Sequence, residues 1–288
     1  LKNIIGSGKM TEHFTSIYKI GSYATNHHVL ANHKTAVCLS GQLRTAVEVA
    51  PVIMNFFRFI PAEVDFYIHT WTTESLGLHD LNGRPKSIAN ILKPVGDEKL
   101  QQVLDIYKPI LYRVDDCEKY QEEYKVYIKQ KYGTCWASIP MFQSLWECNN
   151  LKKKTEEKFN QKYWRVIRMR FDQIFRKEHS WEYEKAFMST KDQYLYVCDH
   201  YNRLPDGVED IAWYGTSELM DQVCHFAEVR ASVDGNNSDW QTHHMMYCIE
   251  NKIPVKTWKD NTMMIYRDHH HETLKVSPMD IDNVLRLP

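Results

Sequence analysis

From Thr35 onward the chain alternates between two hydrophobic periods. Ala36-Val37-Cys38-Leu39 is a short continuous apolar run that stops at Ser40-Gly41. A buried parallel strand entering a turn has this form. Residues 46–59 place Val49, Ile53, Phe56 and Phe57 at helical spacing and stop before Pro61. Val64-Asp65-Phe66-Tyr67-Ile68-His69 predicts a second strand, and Ile110-Leu111-Tyr112-Arg113-Val114 a third. Residues 75–98, rich in Gly, Pro and polar side chains, read as a long loop. Within residues 140–162, Met141, Leu145, Cys148 and Leu151 keep the 3–4 spacing of an amphipathic helix. Residues 164–170 predict a fourth strand ending at Phe171-Asp172.

Tyr194-Leu195-Tyr196-Val197 and Ile211-Ala212-Trp213-Tyr214 are strand-like. Gly215-Thr216-Ser217 breaks the second and caps a helix over 218–226, and Ser238-Asp239 caps another over 240–250. Residues 254–258 read as a late strand, and residues 1–33, of mixed polarity, as a loose arm or a first helix. No repeat appears. Strands alternating with helices predict an α/β fold with a mostly parallel central sheet flanked by helices. Ligands of such sheets bind beyond the carboxyl ends of the strands, which brings forward residues 40–44, 69–71 and 170–172.

Composition narrows the classes. The 288 residues are 43% hydrophobic and 25% charged, which excludes fibrous, collagen-like and disordered chains. Lys plus Arg number 36 against 37 Asp plus Glu, so the basic footprint of a general nucleic-acid binder is absent. Charge runs are short, and Lys152-Lys153-Lys154 reads as a solvated helix face. The seven cysteines are scattered and never form C-x-x-C. They are expected to be buried small hydrophobes in a reducing compartment. No stretch approaches the ~20 apolar residues of a membrane span, and no signal-peptide pattern appears, so the expected location is cytoplasmic. Residues 1–9 look unlike a native start, with Met10 read as the initiator.

Several motifs fall away. Gly6-Ser7-Gly8-Lys9 lacks P-loop spacing, and there is no dinucleotide fingerprint, H-E-x-x-H or G-x-S-x-G. The sequon Asn236-Asn237-Ser238 is read as chance and Asp280-Ile281-Asp282 as a solvated tail.

Four strand-end segments together resemble a group of viral and bacterial glycosyltransferases. Ala36 through Thr45 is similar to their apolar strand followed by S-G-Q-x-R. Asp65-Phe66-Tyr67-Ile68-His69-Thr70-Trp71 resembles D-x-F-x-H-x-W. Val166-Ile167-Arg168-Met169-Arg170-Phe171-Asp172 resembles V-I-R-x-R-P-D. The segment from Asp210 to Asp221 resembles D-x-F-A-x-G-S-S-x-x-M-D. The motifs keep the family order over about two thirds of the chain. The resemblance implies a GT-A fold, Rossmann-like, in one domain over 34–288, with a nucleotide-binding half near 34–175 and an acceptor half near 176–288. Large DNA viruses of algae carry such enzymes for capsid glycans.

It further implies transfer of a sugar from a nucleoside-diphosphate donor to a glycan hydroxyl. The default donor is a UDP-sugar, with glucose or xylose suggested by the aromatic content. Such a transfer passes through an oxocarbenium-like state and needs a diphosphate clamp and, for inversion, a carboxylate base. The donor candidates are Ser40, Gly41, Gln42 and Arg44, with His69, Thr70 and Trp71 for base or ribose. Arg168 and Arg170 alternate on one face of a strand and need acidic partners or a ligand; Arg170 joins the donor set. The implied cofactor is Mn²⁺ or Mg²⁺, with Asp172 and His269, from the run Asp268-His269-His270-His271-Glu272, as candidate ligands. This chain departs from the family's Asp-x-Asp, since Arg170-Phe171-Asp172 keeps only the last carboxylate and replaces the family proline with Phe171. Asp239, at a helix start, is the favoured base and Asp210 the runner-up; His243 and His244 could touch the acceptor. Two rival readings remain: a nucleotidyltransferase on a similar sheet, and a carbohydrate-binding module using the eight Trp and seventeen Tyr.

Overall fold

The computed structural model describes residues 17–21, 34–58, 63–75, 92–117, 119–120, 139–175, 193–198, 212–229, 240–258 and 263–265. Its centre is an eight-stranded sheet. In chain order the elements of the first half are β1 (Ile17–Gly21), β2 (Thr35–Ser40), α1 (Ala46–Arg58), β3 (Val64–Trp71), β4 (Thr73–Ser75), β5 (Leu92–Pro94), α2 (Asp97–Tyr107) and β6 (Leu111–Asp115). Then follow α3 (Ile139–Phe159), β7 (Arg165–Met169), β8 (Gln173–Phe175), β9 (Leu195–Cys198), β10 (Ala212–Gly215), α4 (Ser217–Val229), α5 (Trp240–Glu250), β11 (Val255–Trp258) and β12 (Met263–Ile265).

The strand order is β1-β6-β3-β2-β7-β10-β9-β11. Strands β6, β3, β2 and β7 run parallel side by side. β10 runs antiparallel to both β7 and β9, β11 is parallel to β9, and β1 is antiparallel to β6. Direction along the sheet is therefore mostly parallel, with β1 and β10 reversed. Every residue of β2 is buried, because helices cover both faces of the sheet there. Val37 and Leu39 pack with α1 and α2, while Ala36 and Cys38 pack with α3, α4 and α5. That double burial explains a continuous apolar run in place of an alternating one.

Three expectations change. The segment 1–33 contributes a strand, β1, to the sheet edge. A helix, α2, begins inside the stretch read as loop; Leu100, Val103, Leu104 and Tyr107 form its buried stripe, and each such side chain contributes about 1.5–3 kcal/mol. Lys152 is fully buried, which overturns the solvated reading of the lysine run; Lys154 alone of the three is exposed. The cause is a set of anions at the amino ends of the parallel strands. Lys152 Nζ donates to Asp221 Oδ1 at 2.8 Å and pairs with Glu156 Oε2 at 3.2 Å, with Ser217 Oγ also in contact. Asn149 Nδ2 donates to Asp221 Oδ1 at 2.8 Å, and Lys162 reaches both carboxylates. Glu156 Oε1 accepts from the backbone N–H of Tyr163 at 2.9 Å. Burial would raise Asp221, but the Lys152 charge leads the opposing effects and holds it below the usual carboxylate range.

Five cysteines, Cys38, Cys117, Cys148, Cys224 and Cys248, are buried free thiols, as expected. Burial pushes the Cys248 thiol up to about 12.

Candidate functional site

The carboxyl ends of β2, β3, β6 and β7 meet at one edge of the sheet. After β2 the chain turns at Gly41, whose φ of +125° lies in the region that favours glycine. Its N–H donates to the carbonyl of His69 at 3.2 Å, joining the ends of β2 and β3. A Cβ at Gly41 would meet nothing within 4 Å, so the backbone conformation, not lack of space, requires glycine. Ser40 is buried and its Oγ accepts from Arg168 Nε at 3.3 Å. Leu43 anchors the turn in the core, Arg44 holds a φ of +32°, and Thr45 accepts the Val49 N–H to open α1. The amino end of α1, with its positive dipole end, faces this same edge.

Arg44 and Arg170 converge on one carboxylate. Arg170 donates to Asp172 through Nε (Oδ1, 2.8 Å) and Nη2 (Oδ2, 2.9 Å), a two-point fork. Arg44 Nη1 donates to Asp172 Oδ2 at 3.3 Å from the turn after the neighbouring strand, β2. The Asp172 side chain is 3% exposed, against 15% for Arg170 and 21% for Arg44. The cations therefore form the outer layer and the carboxylate the inner one. Burial lowers the pKa of Arg44, and the Asp172 charge opposes that shift. The Glu74 charge also acts on Arg44, and Lys99 donates to Glu74 Oε1 at 3.0 Å and Oε2 at 2.8 Å. The rim thus gathers three cations, Arg44, Lys99 and Arg170, around two carboxylates.

Beside this rim, on the α3 side, lies a closed polar chain. His69 is fully buried; its Nε2–H faces Asp115 Oδ2 at 3.2 Å and its Nδ1 lies 2.7 Å from Ser144 Oγ. Arg113 Nε donates to Asp115 Oδ1 at 2.8 Å, Arg113 Nη1 donates to Glu147 Oε2, and Gln143 Nε2 donates to Glu147 Oε1 at 2.8 Å. Burial would raise Asp115, but the bonds from His69 and Arg113 outweigh it and hold its carboxyl below the usual range. Trp71, also buried, packs edge-on to His69 with centroids 5.1 Å apart and against Tyr120 at 5.2 Å. Thr70 is buried on the opposite face, and its hydroxyl makes no hydrogen bond among the described residues.

The expected donor residues Ser40, Gly41, Gln42, Arg44, His69, Thr70, Trp71 and Arg170 and the expected metal ligand Asp172 thus reach one edge. They divide into a half-buried outer part (Gly41, Gln42, Arg44, Arg170) and a buried part (Ser40, His69, Thr70, Trp71, Asp172). Arg168, read with Arg170 as a pair, lies beneath: it is buried with its guanidinium 5.1 Å from the Trp213 ring. Asp239, Asp210 and His269 lie outside the described residues, as do the rest of the Asp268–Glu272 run and His243's side chain. β12 ends at Ile265, paired with Gln173 next to Asp172. His244 is a core residue stacked on Phe226 at 4.7 Å, so its expected acceptor contact gives way to packing. Burial, with the nearby Arg168 charge, lowers it to about 3 and keeps it neutral.

Sequence reading missed Glu74, Lys99, Arg113, Asp115, Ser144 and Glu147. Arg113 and Asp115 carried a usable signal, two charges at alternate positions of a strand between buried residues. Glu74 and Lys99 carried none, since only the fold brings β4 to α2.

The metal fit can be judged on Asp172 itself. Both of its oxygens are engaged by guanidinium groups. A divalent ion about 5 Å from one guanidinium, at an effective dielectric of ~20, meets ~7 kcal/mol of repulsion. No group of three His, Cys, Asp or Glu suited to a metal occurs among the described residues. The described residues do not fit a Mn²⁺ or Mg²⁺ site. No helix among them is long and apolar enough to cross a membrane.

No family model matches the chain, and no curated relative matches it. Among solved structures it is similar to mouse xyloside xylosyltransferase 1 in its apo form, at 10% identity and a TM-score of 0.37. That likeness covers 79% of this chain and 85% of the other. A likeness of this size carries no argument about activity.

Proposed function

We propose that the protein is a glycosyltransferase that uses a nucleoside-diphosphate sugar, with UDP-sugars as the default donors and a glycan hydroxyl as acceptor. The observation that carries this reading is the cationic rim of Arg44, Arg170 and Lys99 at the carboxyl ends of parallel strands. Three of the four segments that resemble glycosyltransferases end there. The fourth enters β10 at that same edge, where Ala212 pairs with Met169, and runs to the opposite one, where Gly215 pairs with Val166 and Asp221 binds Lys152.

In the proposed reaction the bond between the anomeric carbon and the diphosphate oxygen breaks, and its electron pair stays on the diphosphate. The acceptor oxygen forms the new bond to the anomeric carbon and gives its proton to a carboxylate, for which Asp239 is the candidate and Asp210 the alternative. Attack from the opposite face inverts the anomeric centre. Arg44 and Arg170 stabilise the charge that develops on the leaving group, which increases in the transition state and so favours rate as well as binding. His69 and Trp71 position the end of β3 from within, since both are buried.

The test is product analysis with UDP- and GDP-sugars and a glycan panel. Release of free nucleoside diphosphate together with a glycosylated acceptor supports the reading. Release of pyrophosphate in a parallel reaction with a nucleoside triphosphate and a sugar 1-phosphate would make the protein a nucleotidyltransferase, and glycan binding without turnover would make it a carbohydrate-binding module.

A further inference from the structure

Resting on the reading above, we infer that the donor diphosphate is held by Arg44 and Arg170 without a divalent cation. Asp172 is then the positioning residue that sets both guanidinium groups.

Geometry carries the argument. A carboxylate that ligates Mg²⁺ or Mn²⁺ must present an oxygen to the ion. Both oxygens of Asp172 already accept from cations: Arg170 spans Oδ1 and Oδ2, and Arg44 adds a second donor to Oδ2. The burial order agrees, because the carboxylate lies deeper than either cation. An ion arriving from solvent would meet the guanidinium groups first. A diphosphate arriving by the same route would meet the charge it needs, in planar groups suited to two-point contact with phosphate oxygens.

The two arginines are also set with unusual care. Arg170 is fixed at its backbone as well, where its N–H donates to Gln173 Oε1 at 3.4 Å. Arg44 sits at positive φ, a conformation that costs free energy for a residue with a side chain and clusters at ligand clamps. The carboxylate between them removes the mutual repulsion of two guanidinium groups, so both can face one ligand. Glu74 does the same for Arg44 and Lys99.

The test is calorimetric titration of the full chain with UDP, and in parallel with GDP, in EDTA and again in Mn²⁺. The expected result is binding of one nucleotide in EDTA with an affinity within about threefold of that in Mn²⁺. Arg170→Gln should weaken it about tenfold or more in both conditions, as expected for loss of a charge-assisted contact. Arg170→Lys, which keeps the charge and loses the fork, should fall between. Asp172→Asn should change affinity equally with and without Mn²⁺. Binding that requires Mn²⁺ and loses that requirement's benefit in Asp172→Asn would overturn the inference and leave the transferase reading standing. Wild-type binding in EDTA that is unchanged in Arg170→Gln would also overturn it. Absence of binding by either nucleotide in both conditions would overturn the transferase reading itself. If Asp172→Asn does not fold by circular dichroism, the wild-type comparison and the two Arg170 variants decide the matter.

Discussion

Replacing Lys152 by Met should expose how much of the fold depends on the ion cluster opposite the site. Lys152 is fully buried against Asp221, Glu156 and Ser217. Methionine keeps most of the aliphatic volume, so the effect is not a cavity. What remains is two carboxylates facing one lysine, Lys162, whose side chain is 48% exposed. Breaking a buried ion pair costs about 3–5 kcal/mol, and Lys162 offsets part of it, so about 3 kcal/mol is expected. At ~2 °C per kcal/mol for a chain of this size, the melting temperature falls by roughly 6 °C.

The pH dependence gives the sharper check. Asp221 sits below its unfolded value, so it contributes stability above about pH 4, lost as pH falls through the folded value. Without Lys152 the burial effect on Asp221 is opposed only by Asn149 and Lys162, so its pKa rises and the carboxylate contributes less at neutral pH until it takes up a proton. The deficit of Lys152→Met relative to wild type should therefore shrink from pH 7 to pH 5. Scanning fluorimetry at both pH values reads it. A variant within about 2 °C of wild type at pH 7, or a deficit unchanged at pH 5, refutes the reasoning.

Other outcomes follow from the site and core. His69→Ala removes the links to Asp115 and Ser144 together and should cost about 2–4 kcal/mol in thermal unfolding. Gly41→Ala meets no clash but must adopt φ near +125°, and should destabilise by about 1–3 kcal/mol, read the same way. His244, held neutral near 3 when folded, takes up a proton near pH 6.5 on unfolding, so it reduces stability as pH falls below that. His244→Leu should flatten the decline between pH 6.5 and 5 by up to about 1.4 kcal/mol per pH unit in urea titrations.

The central strands and the long helix were legible because burial on both faces leaves an unmistakable apolar run at 36–39, and because Leu145, Cys148 and Leu151 keep the helical period. Strand direction was not legible. Nothing in Ala212-Trp213-Tyr214-Gly215 says that β10 runs against β7, since both directions bury the same side chains. Lys152 looked solvated because Glu156, four residues on, reads as its partner on an open helix face, while its second anion, Asp221, lies 69 residues away in sequence. The site edge was legible at Ser40, Arg44, Arg170 and Asp172, whose place after predicted strands followed from the parallel sheet. Which of them face outward was not, for that depends on the fork between Arg170 and Asp172.

One helix ties the two ends of the molecule together. α3 spans 21 residues, about 30 Å, and is fixed by side-chain bonds along its length. Ser144 and Glu147 hold its first half at the candidate site, and Lys152 and Glu156 hold its second half at the ion cluster. Between them the Cys148 thiol lies 3.4 Å from the carbonyls of Leu39 and Tyr67, on the two central strands. A helix pinned in this way cannot roll about its axis or slide by a turn without breaking both sets of bonds. Its amides should exchange with solvent deuterium only through global opening, in one cooperative unit with β2 and β3. Arg44, in the turn after β2, and Arg170, after the neighbouring strand β7, should then keep their spacing until the last structure of the fold opens.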